Sequence, residues 1–198
     1  MICAVVLAAG QSRRMGVQKL VLPFAEGTII AHIVDQTLAS AVDRVFVVVG
    51  RDAALVEEAL SGRPCECVMN PDPESEMLES VRCALRALPA ECQAVLVVLG
   101  DQPGMTAELV NSLVSAGAES GKGIVVPVHD GRRGHPVLFS VAYRERVLGS
   151  YDDTGLRGLL REFPGDVLEV PVSSAAPLLD LDTPADYRRA VADRRRHA

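Results

Sequence analysis

Alternation between two kinds of segment constrains this chain more than any other feature. Short aliphatic runs (ICAVVL from Ile2, RVFVVV from Arg44, AVLVVLG from Ala94, GIVVPV from Gly123) are separated by stretches with apolar residues at helical spacing. Thr28 is placed to cap a helix carrying Ile30, Val34 and Leu38 on one face, and Asp52 to cap another with Leu55, Val56 and Leu60. A third helix is expected from about Ser75 to Leu88 and a fourth from Thr106 to Ser120. Near-continuous apolar strands need cover on both faces. The pattern therefore predicts a mostly parallel sheet between two helical layers, a three-layer αβα sandwich. The runs are far too short to span a bilayer, which takes about 20 residues. No repeat, linker or low-complexity segment breaks the pattern, so one domain over residues 1–198 is expected.

In such sheets ligands bind beyond the carboxyl ends of the strands, near the switch in strand order. The loop after the first run reads LAAGQSRRMGVQKLVLP, Leu7 to Pro23. Gly10, Arg13, Arg14, Gly16 and Lys19 fall close together, with no acidic residue before Glu26, in a chain of formal net charge −6. Glycines let the backbone approach a ligand, and Arg and Lys supply charge-assisted hydrogen bonds. The expected ligand is a polyphosphate. The spacing matches neither the dinucleotide fingerprint nor the Walker loop. The competing reading is an ordinary strand-to-helix turn with solvated basic residues.

Other loops at strand ends carry complementary chemistry. AVLVVLG runs directly into Asp101-Gln102-Pro103-Gly104. Mg²⁺ takes one or two protein carboxylates and completes its shell with water and phosphate, which suits Asp101; an Asp here also suits capping of the turn. In HDGRRGHPVLF, Arg132 to Gly134 read as a solvated hairpin, and His135 before a proline is held extended. In the Tyr151–Gly155 segment, Asp153 or Thr154 is expected to cap the helix that follows. Thr183, Pro184 and Asp186 form a helix start of cap, first-turn proline and first-turn acid. That leaves Asp180 and Asp182, read as sharing one side of a short strand, either one placed to complete a metal site with Asp101. The basic tail RRAVADRRRHA reads as a solvated helix C-terminus.

The acidic balance argues against a nucleic-acid partner, which would want excess Lys and Arg. Five cysteines with no C-x-x-C pair argue against a disulfide framework. Cys65 and Cys67 are expected in the core, and the compartment is expected to be the reducing cytoplasm. The apolar start has no basic n-region, so no signal peptide is expected.

Together, LAAGQSRRMGVQKLVLP, LGDQP, RGHPVLF, the Gly155–Arg157 region and DLDTPADY resemble the small nucleotidyltransferases, most closely the molybdenum cofactor cytidylyltransferases, over residues 2–188. The resemblance implies a Rossmann-like fold of the nucleotide-diphospho-sugar transferase kind. It implies an Mg²⁺-dependent enzyme that couples CTP to a molybdopterin-type cofactor and releases pyrophosphate. Leu7, Ala8, Ala9 and Gly10 are then expected at the base and ribose. Arg14, Gly16 and Lys19 are expected on the triphosphate, and Asp101, with Asp182 or Asp180, on Mg²⁺. Arg14, Lys19 and Asp101 are the expected catalytic groups, and Ser80 and His135 are further expected contacts. A molybdoenzyme or its chaperone is an expected partner.

Related guanylyltransferases read L-A-G-G where this chain has Leu7-Ala8-Ala9-Gly10, so the methyl of Ala9 narrows the base pocket toward a pyrimidine. The resemblance also implies a small, glycine- and serine-containing stretch near the acceptor after the third strand. Here the chain reads Glu76-Met77-Leu78-Glu79-Ser80. Two carboxylates there repel an anionic substrate unless they face solvent or a metal. Rival readings keep the transfer but change the acceptor to another phosphorylated metabolite or the donor to GTP. A further rival is a non-catalytic nucleotide-binding or cofactor-delivery protein.

Overall fold

A computed structural model of the chain describes residues 1–10, 18–72, 74–175 and 178–197, apart from the side chains of Arg195 and His197. In chain order the first elements are β1 (Ile2–Ala8), β2 (Pro23–Phe24), β3 (Gly27–Thr28), α1 (Ile29–Leu38) and β4 (Arg44–Val49). Next come α2 (Ala53–Ala59), β5 (Glu66–Met69), α3 (Met77–Ala87), β6 (Ala94–Leu99) and α4 (Ala107–Ser120). Last are β7 (Ile124–His129), β8 (Arg132–Arg133), β9 (Val137–Ser140), α5 (Arg144–Gly149), α6 (Leu156–Glu162), β10 (Val167–Pro171) and α7 (Pro184–His197).

The aliphatic runs are the parallel strands. The main sheet runs β10-β7-β9-β6-β1-β4-β5, with β8 paired to β7. β1 is central, parallel to both β4 and β6. The exception along this path is β9, which is antiparallel to β6 and β7 and fills the space between them. Alternation along β1 sends side chains to opposite layers. Ala4, Val6 and Ala8 pack with Ile30, Ile33 and Val34 of α1 and Val110 and Leu113 of α4. Cys3 and Val5 pack with Val81 and Leu85 of α3, Val147 of α5 and Leu159 of α6. The result is the three-layer αβα sandwich.

Local chemistry sets the helix ends. Thr28 Oγ1 accepts from Ala31 N and Thr106 Oγ1 from Leu109 N, each at 3.3 Å. At α7, Thr183 Oγ1 accepts from Asp186 N while the Asp186 carboxylate accepts from Thr183 N at 2.9 Å, a reciprocal capping box. Two expected caps differ. Asp52 sits at the start of α2 but makes no side-chain cap bond, because its carboxylate accepts from Gln18 Nε2 at 2.8 Å. Gly155, at φ 58°, starts α6 in place of Asp153 or Thr154, since the chain must reverse through a conformation that side chains resist. Helix α3 begins at Met77 rather than at Ser75, whose hydroxyl is engaged in the preceding loop.

All five cysteines are free thiols. Cys65 is half-buried against the core, but Cys67 is exposed on β5, the edge strand of the sheet. Among the described residues, no helix is long and apolar enough to cross a membrane.

Candidate active site

Strand order reverses between β1 and β6. From β1 the chain proceeds outward through β4 and β5, then returns to β6 on β1's other side. The loops after these two strands therefore face one another. Gly100 N donates to Leu7 O at 3.0 Å, and a Cβ on Gly100 would lie 2.5 Å from that oxygen, so only glycine permits the approach. The two loops open into one cleft of about 250 Å³.

The first wall is Leu7, Ala9 and Gly10. Ala8, expected beside them, instead points into the core at 3% exposure, because alternation turns it to the opposite layer. Arg13, Arg14 and Gly16 of the basic loop lie outside the described residues. Lys19 opens a single 3₁₀ turn whose root is fixed by the Gln18 side chain and by buried Leu20. Its Nζ donates to Asp101 Oδ2 at 2.6 Å and to Leu181 O at 3.0 Å, and lies 3.7 Å from Asp182 Oδ1.

Asp180 and Asp182 do not lie on a strand. Residues 180–182 are irregular chain tied to the turn after β6 by Leu181 N, which donates to Asp101 O at 3.0 Å, and by the buried Leu181 side chain. The flanking carboxylates have different partners. Asp182 approaches Lys19, whereas Asp180 accepts from the buried Gln102 Nε2 at 2.7 Å. Burial, then repulsion from Asp101 and Asp182, holds the Asp180 carboxyl above its ordinary range. Among the described residues, no group of three or more His, Cys, Asp or Glu side chains is arranged to hold a metal ion. A metal here would draw ligands from water and substrate. The hard oxygen donors of Asp101 and Asp182 fit that requirement, and the Lys19 ammonium beside both shows that the position accommodates a cation.

The opposite wall comes from the loop after β5. Buried Asn70 donates to Ser75 Oγ and Ser80 Oγ, each at 2.9 Å, and its Oδ1 accepts from Asp72 N at 3.0 Å. Ser75 and Ser80 both line the cleft. No motif surrounds Asn70; its one signal in the sequence is a polar residue at the carboxyl end of a strand. Glu79 turns away to Arg86 Nη1 at 2.7 Å, with Arg82 at 3.5 Å, and these cations hold its carboxyl below the usual range. One of the two expected repulsive charges is thereby neutralised.

Because β9 runs antiparallel, its start lies beside the ends of the parallel strands, which brings His135 near Asp101 and Arg157. Burial lowers its imidazole to about 4, opposed by Asp101 and reinforced by Arg157. That shift favours the neutral ring, and among the described residues its buried Nε2 has no hydrogen-bond partner. Arg132 and Arg133 stay in the exposed hairpin, with Arg133 paired to Glu169 at 2.6 Å.

Comparison with known proteins gives a consistent picture. A family model described as MobA-like NTP transferase domain matches residues 4–167. The molybdenum cofactor cytidylyltransferase of Escherichia coli K12 is 30% identical over 92% of each chain. The purine catabolism protein PucB of Bacillus subtilis 168 is 32% identical over 94% of this chain and 96% of its own. A probable molybdenum cofactor guanylyltransferase of Mycobacterium marinum is 29% identical over 93% and 90%. Among solved structures, a nucleotidyl transferase from Methanothermobacter superposes with a TM-score of 0.87 at 26% identity, over 100% of this chain and 99% of that one. Rv0371c of Mycobacterium tuberculosis H37Rv, in complex with manganese, superposes with a TM-score of 0.82 at 27% identity, over 96% and 98%.

Proposed function

The chain belongs to the family of MobA-like NTP transferase domains, and from that premise we propose that it joins CTP to a molybdopterin-type cofactor with release of pyrophosphate. The observation that carries this reading is the cleft at the strand-order switch, where Ala9 and Gly10, Lys19 and Asp101 meet. A phosphate oxygen of the acceptor attacks the α-phosphorus of CTP in line. The new bond is oxygen to α-phosphorus, and the bond to the β-phosphate oxygen breaks. An ionised phosphate needs no general base, so the residues act by positioning and charge neutralisation.

Lys19, with Arg14 and the Gly16 backbone, grips the triphosphate and steadies the departing pyrophosphate. Asp101 and Asp182 would hold the divalent ion, and Asp180, bound to Gln102, forms the wall beside them. A divalent ion held there, expected to be Mg²⁺, would supply charge neutralisation to the triphosphate. The methyl of Ala9 narrows the base pocket in favour of cytosine, with the backbone of Leu7, Ala8 and Gly10 alongside and Ser80 opposite. His135, neutral and with a nitrogen that lacks a partner among the described residues, hydrogen-bonds the acceptor without adding charge. Five free thiols suit a reducing cytoplasm, and a molybdoenzyme or its chaperone would receive the product.

A second reading exchanges CTP for GTP, and the guanylyltransferase relative favours it. The methyl at Ala9 opposes it. The test is pyrophosphate release under multiple turnover with CTP, Mg²⁺ and a molybdopterin-type acceptor. Sustained release is expected; a protein that only binds or delivers would release none.

A further inference from the structure

We propose that Lys19 has a second role: in the nucleotide-free protein its ammonium occupies the divalent-cation position at Asp101 and Asp182, so that metal and nucleotide bind as a unit. The proposal rests on the reading of those two carboxylates as metal ligands. Among the described residues, three oxygens lie around the Lys19 nitrogen, with Asp101 Oδ2 at 2.6 Å, Leu181 O at 3.0 Å and Asp182 Oδ1 at 3.7 Å. They come from two separate segments, the turn after β6 and residues 180–182, and Lys19 joins them. Without a cation, Asp101, Asp182 and the nearby Asp180 would repel one another in a cleft where Lys19 and Asp101 keep only 14% and 22% side-chain exposure. Lys19 places a positive charge between Asp101 and Asp182.

A metal ion that uses the Asp101 carboxylate competes for the same lone pairs. The 3₁₀ turn fixes the root of Lys19 through the Gln18 side chain and buried Leu20, so the flexible four-carbon stem carries the exchange. The stem needs another anion to turn to, and the triphosphate provides one. Metal affinity is therefore low without nucleotide and rises with it. By linkage, the metal tightens nucleotide binding by the same factor.

The test titrates Mn²⁺ into the full-length protein by calorimetry at fixed ionic strength, with no nucleotide and then with CTP. Without nucleotide, Lys19→Met is expected to bind Mn²⁺ about tenfold more tightly than the wild type, the scale of losing one charge-assisted competitor. Lys19→Arg, which keeps the charge, is expected to stay near the wild type. Arg157→Gln removes a cation from the same region that is not paired to Asp101 and is expected to change little. Asp101→Asn in the Lys19→Met background is expected to abolish the tight binding, which locates the ion. Circular dichroism checks folding, and Lys19→Gln carries the same expectation should Lys19→Met not fold.

The proposal is overturned if Lys19→Met binds no more tightly than the wild type, or if Arg157→Gln tightens binding equally. It is also overturned if the Asp101 change has no effect. If CTP neither binds nor yields pyrophosphate, the transferase reading fails, while the nucleotide-free comparison still decides the role of Lys19.

Discussion

Gln102 donates its side-chain amide to Asp180 Oδ1 at 2.7 Å, joining residues 78 positions apart. The bond holds a carboxylate on the cleft wall although burial and two neighbouring carboxylates disfavour its charge. Because the folded-state value is raised above the unfolded one of about 3.9, Asp180 contributes stability below that pH and loses it as pH rises through the folded value. At neutral pH the ionised group is a net cost. Asp180→Asn is expected to raise Tm modestly near neutrality, with the gain disappearing below roughly pH 4. Thermal melts across that range check the sign.

Lys19→Ala and Asp101→Ala each remove one side of the 2.6 Å contact at the centre of the cleft. Each is expected to lower turnover by about 10²–10³ while remaining folded, the scale for losing one pre-organised charge. Steady-state rates with melting curves separate catalysis from folding. Wild-type turnover in either variant removes that residue from the mechanism.

Ala9 lines the cleft, and a Cβ on Gly50 would lie 3.2 Å from the Ala9 Cβ, so the loop has little space behind it. Ala9→Gly is expected to raise kcat/KM for GTP relative to CTP by about tenfold or more, the range for one methyl in a closed pocket. Competition between the two nucleotides measures the ratio directly.

The lowered pKa of His135, about 4, leaves the ring neutral above mildly acidic pH. His135→Phe is expected to raise KM for the acceptor and leave KM for CTP unchanged. The wild-type acceptor KM is expected to show no inflection near 6.5, the ordinary histidine value. An inflection there that vanishes in His135→Phe would contradict the neutral role.

The alternation of apolar runs and helical spacing makes the sandwich legible, because the central strands of the main sheet follow the simple crossover pattern. The run before Ser140 reads like any other short strand, since periodicity does not encode pairing direction; hence the proximity of His135 to Asp101 is not visible in it. Lys19 and Asp101 are each legible from their position after a strand, but the contact between them spans 82 residues and depends on tertiary packing. Asn70 and Gln102 act through side-chain amides on distant partners, which leaves no local pattern. Ala8 shows the reverse case. A motif groups it with Leu7 and Ala9, whereas strand alternation turns it into the core.

The most direct measurement offers each nucleoside triphosphate in turn, with Mg²⁺ and a molybdopterin-type acceptor, and follows pyrophosphate and product mass together. The expected result is one pyrophosphate per acceptor consumed and a product heavier by one cytidylyl group, with CTP preferred over GTP. Nucleotide bound in the cleft with no pyrophosphate and no adduct from any triphosphate would contradict it.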